Sequence, residues 1–294
     1  MKYESIIGLS GGLDSSTTAC LLKELGKRPL AFVFDNNWNT EIANRNIQKV
    51  LDYTKFDCLF IKVDWEQFRD LQLAFIKSGI SNIEIPTDHL LYALIYKIAN
   101  MVGAKIIYNG GNSQSEGYMP EEWSYNARDL KMIKAIHRRF GTRPMDKLPV
   151  LSLWGYIWNK FIKGIKVIQP LEEYDYKIKE AKEELKRLID FEEYGEKHEE
   201  SIYTRWFQQY YLPIKFGVDK RVAHFQSLVN SGQMTKEEME EKLKIKYPDE
   251  MDFDFNKLGI TWEKIMKIPK KTYKDYPNNS KLWKFLEKIW ITLK

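Results

Sequence analysis

Seven residues near the start of the chain, Ser10-Gly11-Gly12-Leu13-Asp14-Ser15-Ser16, combine two glycines, three hydroxyls and one carboxylate. They follow an apolar run, Ile6 to Leu9, and precede a helical pattern that opens near Asp14. A strand, a small-residue turn and a helix N-terminus together make a site for an anion. Small residues let backbone N–H groups close around phosphate oxygens, and the helix dipole adds partial positive charge. Ser10, Gly11, Gly12, Ser15 and Ser16 are suited to holding those oxygens. Asp14 would repel phosphate unless a cation lies between, which points to Mg²⁺ held by a carboxylate together with phosphate oxygens. An acid in the first turn also favours the helix dipole, so both roles fit one residue. The two common nucleotide-loop spacings, G-x-x-x-x-G-K-[ST] and G-x-G-x-x-G, are absent.

Two more polar, small-residue stretches follow strand candidates. Phe34-Asp35-Asn36-Asn37 offers backbone and amide groups that could read an adenine edge, although Asp-Asn-Asn is also good turn chemistry. Asn109-Gly110-Gly111-Asn112-Ser113 permits close backbone approach to a ligand. Glu116 lies shortly after and could join Asp14 on the metal or meet an incoming amine. Further along, Leu212 to Arg221 is dense in cations. Lys220 and Arg221 open a helix, where positive charge opposes the dipole, so an anion is expected nearby. Lys215 precedes the intervening Gly217 turn. The four histidines, His89, His137, His198 and His224, do not form a metal set.

The elements that must position these groups alternate. Strand candidates at Ile6–Leu9, Leu30–Phe34, Cys58–Val63 and Ala104–Tyr108 are separated by helical patterns, among them one capped by Thr40. This order predicts an α/β fold with a parallel, Rossmann-like sheet, whose ligands bind at the strands' carboxyl ends. The three polar stretches fall there. After Tyr118 the character changes, giving an expected nucleotide domain over 1–118 and a mostly helical region over 119–294. Val150, Trp154, Ile157, Trp158, Phe161 and Ile165 form a helical stripe with interleaved lysines, read as core or subunit interface before membrane contact. Later helices are expected at 177–190, 201–212, 219–231 and 235–244, the last with a Thr235/Glu238 capping box.

Composition sets outer bounds. The chain has 294 residues, a formal charge of +5 and 44% apolar residues, an ordinary globular profile. Residues 1–130 carry 13 Lys and Arg against 16 Asp and Glu, and residues 131–294 carry 33 against 25, so the basic excess is C-terminal. Cys20 and Cys58 fit buried free thiols in a reducing compartment, and no zinc is expected. The longest uncharged stretch, near Leu148–Asn159, is too short to span a bilayer, and a cytoplasmic enzyme is expected.

The S-G-G-x-D-S loop resembles the pyrophosphate (PP) loop of the ATP pyrophosphatases, which cleave ATP to AMP and pyrophosphate. More narrowly, the chain resembles the N-acetyl sugar amidotransferases of lipopolysaccharide and surface-sugar biosynthesis. That resemblance rests on F-D-N-N-W-N-T-E-I-A-N-R-N-I from Phe34, E-E-W-S-Y-N-A-R-D-L from Glu121 and I-K-A-I-H-R-R-F-G from Ile133. It continues through L-S-L-W from Leu151, F-I-K-G-I-K from Phe161, G-E-K-H-E-E-S-I-Y-T-R from Gly195 and L-P-I-K-F-G-V-D-K-R-V-A-H from Leu212. Two departures stand out. The Cys-rich module that opens many members is missing before Ser10, and Leu13 stands where such loops often carry Lys. Lys215 or Arg221 is expected to take over that charge.

The resemblance implies an adenine nucleotide alpha hydrolase-like fold. ATP would lie on Ser10, Gly11, Gly12, Asp14, Ser15, Ser16, Phe34, Asp35, Asn36, Gly110, Gly111 and Asn112, with Mg²⁺ at Asp14. Catalysis would rest on Asp14, Lys215 and Arg221, and substrate binding on Glu116, His198, Arg205, Asp219, Lys220 and His224. The implied reaction adenylates the N-acetyl carbonyl of a nucleotide-linked sugar and converts it to an acetamidino group. Ammonia would come from a HisH-like glutaminase with a HisF-like subunit, since no Cys–His pair for glutamine hydrolysis is evident. No nucleic acid or membrane partner is expected. The competing readings are a tRNA thiolase, which generally needs a reactive Cys, and a non-catalytic nucleotide-binding subunit.

Overall fold

The computed structural model describes residues 3–116 and 125–292. Tyr118 and the first residues of the Glu121 motif lie outside the described residues. A five-stranded sheet is built from β1 (Ser5–Gly8), β2 (Leu30–Asp35), β3 (Cys58–Lys62), β4 (Ile106–Tyr108) and β5 (Lys166–Ile168). Its order is β3-β2-β1-β4-β5 and every pairing is parallel. Ile6 pairs in register with Leu30 on one side and Ile107 on the other, and all three belong to strands rich in Leu, Ile, Val and Phe, as a sheet covered on both faces requires. This is the α/β architecture expected. The sequence reading finds four of the strands and misses β5, whose Lys-Val-Ile is only three residues long and whose outer position leaves Val167 47% exposed.

Helix α1 (Leu13–Glu24) follows β1, and α2 (Glu41–Thr54) follows β2. Thr40 caps α2 as expected, its hydroxyl accepting from the Ala43 N–H at 3.1 Å. Ala19 and Leu22 of α1 and Ile47 and Val50 of α2 pack with Ile7, Ala31 and Val33 of the sheet into one core. Strand β1 has β2 on one side and β4 on the other, so the strand order reverses there. Ligands of open α/β sheets bind outside the carboxyl ends at such a reversal. The loops after β1 and β4 are therefore placed side by side.

Two compact units interleave along the chain. The first comprises residues 1–63, 95–120 and 160–253, and the second 64–94, 121–159 and 254–294. The first is discontinuous because β5 returns the chain to the sheet after the excursion. Within the second, α3 (Trp65–Ser78), the first half of α4 (Ile85–Val102) and α5 (Leu130–Phe140) supply buried Phe68, Leu71, Leu90, Met132, Ile133 and Ile136.

Of the Val150–Ile165 stripe only Ile165 is core. Trp154 is 77%, Trp158 55% and Phe161 46% exposed. The cause is a change of helix type: the α-turn Leu153–Ile157 passes into a π-helical turn, Trp158–Ile162, so the 3.6-residue period does not persist. Tyr156 and Asn159 take the buried side instead. Among the described residues no helix is long and apolar enough to cross a membrane. Burial pushes the Cys20 thiol up to about 12 and the Cys58 thiol up to about 11. Both are therefore protonated, weakly nucleophilic thiols near neutral pH.

His89 in the second unit gives a stability prediction. Its ring is fully buried, with Nδ1 2.8 Å from the Ala127 carbonyl and Nε2 accepting from the Leu151 N–H at 3.2 Å. Those partners fix a neutral ring with its proton on Nδ1. Burial pulls its pKa down to about 4, against a smaller upward pull from the Ala127 hydrogen bond. As pH falls below about 6.5 the unfolded chain takes up a proton that the folded chain refuses until about 4, so stability is lost across that window. The expected loss is about 3 kcal/mol. Urea unfolding at several pH values should show it, and His89→Gln should flatten that part of the profile. A wild-type profile as flat as the variant's would refute the assignment.

Candidate active site

The opening loop is shaped by its glycines and braced by its hydroxyls. Gly11 adopts φ +78°, and a Cβ there would collide with the Ala43 carbonyl at the start of α2. The Ser10 and Ser15 hydroxyls lie 3.1 Å apart, Ser15 Oγ donates to the Gly12 carbonyl, and the Gly12 N–H donates to Ser10 Oγ. Ser16 Oγ is buried and has no hydrogen-bond partner among the described residues. The two strand-end loops meet at Gly110, where a Cβ would lie 2.9 Å from the Asp14 carbonyl and 3.0 Å from the Ser15 nitrogen. Gly110 therefore serves close approach to the loop, as its sequence position suggests.

The loop after β4 is held by its own side chains. The Gly111 N–H donates to Asn109 Oδ1 at 2.7 Å. Buried Asn112 accepts from the Ser115 N–H and hydroxyl at 2.9 and 2.8 Å, which fixes the short turn Ser113–Glu116 and projects Glu116. After β2, Asp35 Oδ1 accepts from the Asn37 N–H and Asn36 Oδ1 from the Trp38 N–H. Those acceptors serve the turn, the second of the two roles their types allow. Phe34 is half-buried at the end of β2.

A segment from Tyr194 to Ser201 lies over the loop. The Leu13 N–H donates to Tyr194 Oη at 2.9 Å, Ser10 Oγ lies 3.4 Å from Glu200 Oε1, and the Thr40 N–H donates to the Glu200 carbonyl. Two left-handed residues, Gly195 at φ +105° and His198 at φ +67°, turn it back on itself. The turn delivers Lys197 Nζ to 2.7 Å from Asp14 Oδ2, 3.1 Å from Glu116 Oε1 and 2.6 Å from Ser115 Oγ. His198 Nε2 lies 3.1 Å from the same Glu116 oxygen, and the His198 and His224 rings meet edge-on with centroids 5.5 Å apart. Tyr176 Oη donates to the other Asp14 oxygen at 2.5 Å.

The charges are strongly coupled. Burial disfavours the Lys197 cation, but the Asp14 and Glu116 carboxylates overcome it and raise its pKa. Burial likewise opposes ionised Glu116, and His198 and Lys197 more than compensate, holding it well below the usual carboxylate range. His198 is raised despite its burial because Glu116 bonds it. His224 is pulled down to about 3, by burial first and then by the His198, Lys220 and Lys197 charges. One histidine of the pair is thus favoured charged and the other neutral.

The structure brings Asp14, Glu116, His198 and His224 together. It engages other expected residues elsewhere. The Arg221 guanidinium is held by Asp219, with Nη2 2.7 Å from Oδ2, donates to the Ile245 carbonyl and lies 4.2 Å from the Tyr247 ring centre. The anion expected beside the cations of α6 (Lys220–Asn230) is, for Arg221, its own N-cap Asp219. Arg205 pairs with Asp252. Lys215 is 3% exposed within a π-helical stretch, Phe207–Phe216, and Lys220 opens α6.

Lys197, Tyr176, Tyr194 and Glu200 are absent from the sequence expectation. The available signal was the Gly195 motif, in which Lys197 adjoins His198. Leu13 is half-buried and packs against both Leu171 and Tyr176 and the main core, so an apolar residue suits that position. The cation missing from the loop arrives from Lys197.

Residues 200–290 match the family described as LPS biosynthesis protein WbpG-like, C-terminal domain. The expected resemblance to lipopolysaccharide biosynthesis proteins is met over that segment. Among curated proteins none matches the chain. Similar solved structures include a predicted subunit of tRNA methyltransferase from Methanocaldococcus jannaschii, 17% identical, covering 61% of this chain and 74% of that one, TM-score 0.34. They also include NMN synthetase from Francisella tularensis, 16% identical, covering 64% and 84%, TM-score 0.32. A third is NH3-dependent NAD synthetase from Campylobacter jejuni, 14% identical, covering 80% and 90%, TM-score 0.33. Likeness of that degree carries no argument, and the fold rests on the strand order described above.

Proposed function

We propose that this chain is an ATP-dependent, AMP- and pyrophosphate-forming enzyme that activates an amide carbonyl for attack by ammonia. The observation that supports this most is the convergence of Lys197 on Asp14 and Glu116 beside the Gly11–Gly12 loop. In this reading the triphosphate lies against the Gly11, Gly12 and Ser15 backbone and hydroxyls. The oxygen of an N-acetyl group on a nucleotide-linked sugar attacks the α-phosphorus, and the bond to the β-phosphate oxygen breaks, releasing pyrophosphate. Ammonia adds to the activated carbon, AMP leaves with the oxygen, and an acetamidino group remains after loss of a proton. Lys197 neutralises charge developing at the α-phosphate, as preorganised cations do in such sites.

The donor set fits Mg²⁺. The Asp14 and Glu116 carboxylates converge on one position, which Lys197 Nζ occupies in this structure, and among the described residues no group of three or more His, Cys, Asp or Glu is arranged to hold a metal ion. A small hard cation held by Asp14 and Glu116 would displace Lys197 Nζ from between them toward the phosphates, complete its shell with phosphate oxygens and water, and supply charge neutralisation. The ammonia source is proposed to be a HisH-like glutaminase working with a HisF-like subunit, in the cytoplasm. The raised thiols of Cys20 and Cys58 disfavour the thiolase alternative.

The test is pyrophosphate release across a panel of N-acetylated UDP-sugars with ATP, Mg²⁺ and ammonium. Release is expected only when sugar and ammonium are both present, with a product 1 Da lighter than the substrate sugar as oxygen is exchanged for NH. Release driven by tRNA, or ATP binding without turnover on any sugar, would refute the proposal.

A further inference from the structure

The second unit holds a cavity of about 280 Å³ lined by Arg128, Lys131, Lys134 and Arg138, together with Asn279 and Trp283. Four cations and no acid border it. Three of them recur on one face of α5 at spacings of three and four residues, and Arg128 continues the series one step before the helix. Like charges at these spacings repel, and Lys131, in the first turn, also opposes the helix dipole. Lys131, Lys134 and Arg138 have no carboxylate partner among the described residues, although ion pairs are common elsewhere on the chain. The neighbouring acid, Asp129, is occupied: Oδ1 accepts from the Lys131 and Met132 N–H groups, and Oδ2 from Tyr125 Oη and the Asn279 N–H.

Two further observations point to an oxyanion. The Arg128 guanidinium is fixed in advance, donating to Asn126 Oδ1 and Tyr156 Oη at 3.0 Å and lying 4.8 Å from the Trp283 ring. Trp283 is 2% exposed, and its indole N–H is a buried donor without an acceptor. A buried donor left unpaired is costly, and a ligand oxygen satisfies it once the side chains that close it off from the cavity shift. The volume suits a compact group rather than a polynucleotide.

We infer that this cavity binds the diphosphate group of a small ligand. Clustered Arg and Lys around a cavity that no acid borders suit direct phosphate recognition. Two sources share this chemistry, free pyrophosphate and a nucleoside-diphosphate sugar.

Isothermal titration of the full chain with inorganic pyrophosphate, UDP and UDP-N-acetylglucosamine, in the absence of ATP, tests the site. Lys131 and Lys134 are exposed, so Lys131→Ala/Lys134→Ala should keep the fold and weaken the dissociation constant at least tenfold. Trp283→Phe removes the donor together with part of the buried ring, and should weaken it three- to tenfold. Equal affinity for all three probes identifies the diphosphate alone as the ligand, whereas at least tenfold tighter binding of the sugar nucleotide identifies that source. Titrations of both variants that superimpose on wild type for every probe, with unchanged unfolding midpoints, would overturn the inference.

Discussion

Replacing Lys197 with Met is expected to lower ATP-dependent pyrophosphate release by about a hundred- to a thousandfold, the usual cost of losing one preorganised charge at a transition state. Met keeps most of the side-chain bulk and flexibility, so the change isolates charge. In the wild type, Nζ lies within 3.1 Å of oxygens from Asp14, Glu116 and Ser115. Without it, two carboxylates face each other at the loop proposed to receive a triphosphate. Their sites are partly exposed, Asp14 20% and Glu116 35%, so the folding cost should stay at about 1–2 kcal/mol. Steady-state assays should therefore show kcat falling far more than the unfolding midpoint shifts. Lys197→Arg should recover part of the loss, because the charge returns although the fork geometry differs. If Lys197→Met kept more than a fifth of wild-type turnover, the cation would not act in the reaction and its bonds would be structural only.

The contrast between Lys197 and Arg221 shows where sequence reading stops. The strand–loop–helix order near Ser10 is local, and hydrophobic runs with Gly and Pro punctuation are enough to expose it. The strand-end position of Asn109–Asn112 follows from that order. The partner of a cation is set by tertiary placement, which local pattern does not encode. Arg221 opposes its helix dipole and so suggests an anion, but its own N-cap, two residues away, answers that charge. Lys197 sits in an irregular stretch without periodicity, and only left-handed turns at Gly195 and His198 bring it 183 residues back in sequence to Asp14. β5 was hidden for a related reason. A three-residue strand is recognised by the edge it pairs with, here β4, and carries little pattern of its own. The expectation that the tryptophan stripe is core fails where the switch to a π-turn at Trp158 breaks the periodicity on which it depended.

Gly11→Ala is expected to be among the most damaging single substitutions in the first unit, and a paired control separates its two causes. Gly11 and Gly26 both have left-handed backbones, at φ +78° and +69°. An added Cβ at Gly26 meets nothing within 4 Å, so Gly26→Ala reports conformational strain alone, about 1–2 kcal/mol. At Gly11 the Cβ meets the backbone carbonyl of Ala43, near the start of α2, and backbone cannot rotate away as a side chain can. Relief requires either the loop to leave α2 or α2 to shift against the sheet, where Ile47 and Val50 are buried. Overpacking of this kind adds about 1–3 kcal/mol to the strain. Gly11→Ala should therefore cost about 2–5 kcal/mol in urea unfolding, and ATP affinity should fall with it, because the N–H groups proposed to hold the phosphates belong to the displaced loop. Gly26→Ala should leave ATP affinity unchanged. Equal losses of stability in the two variants would mean that the loop yields freely, and that Gly11 is needed for its backbone angle rather than for the space it leaves beside Ala43.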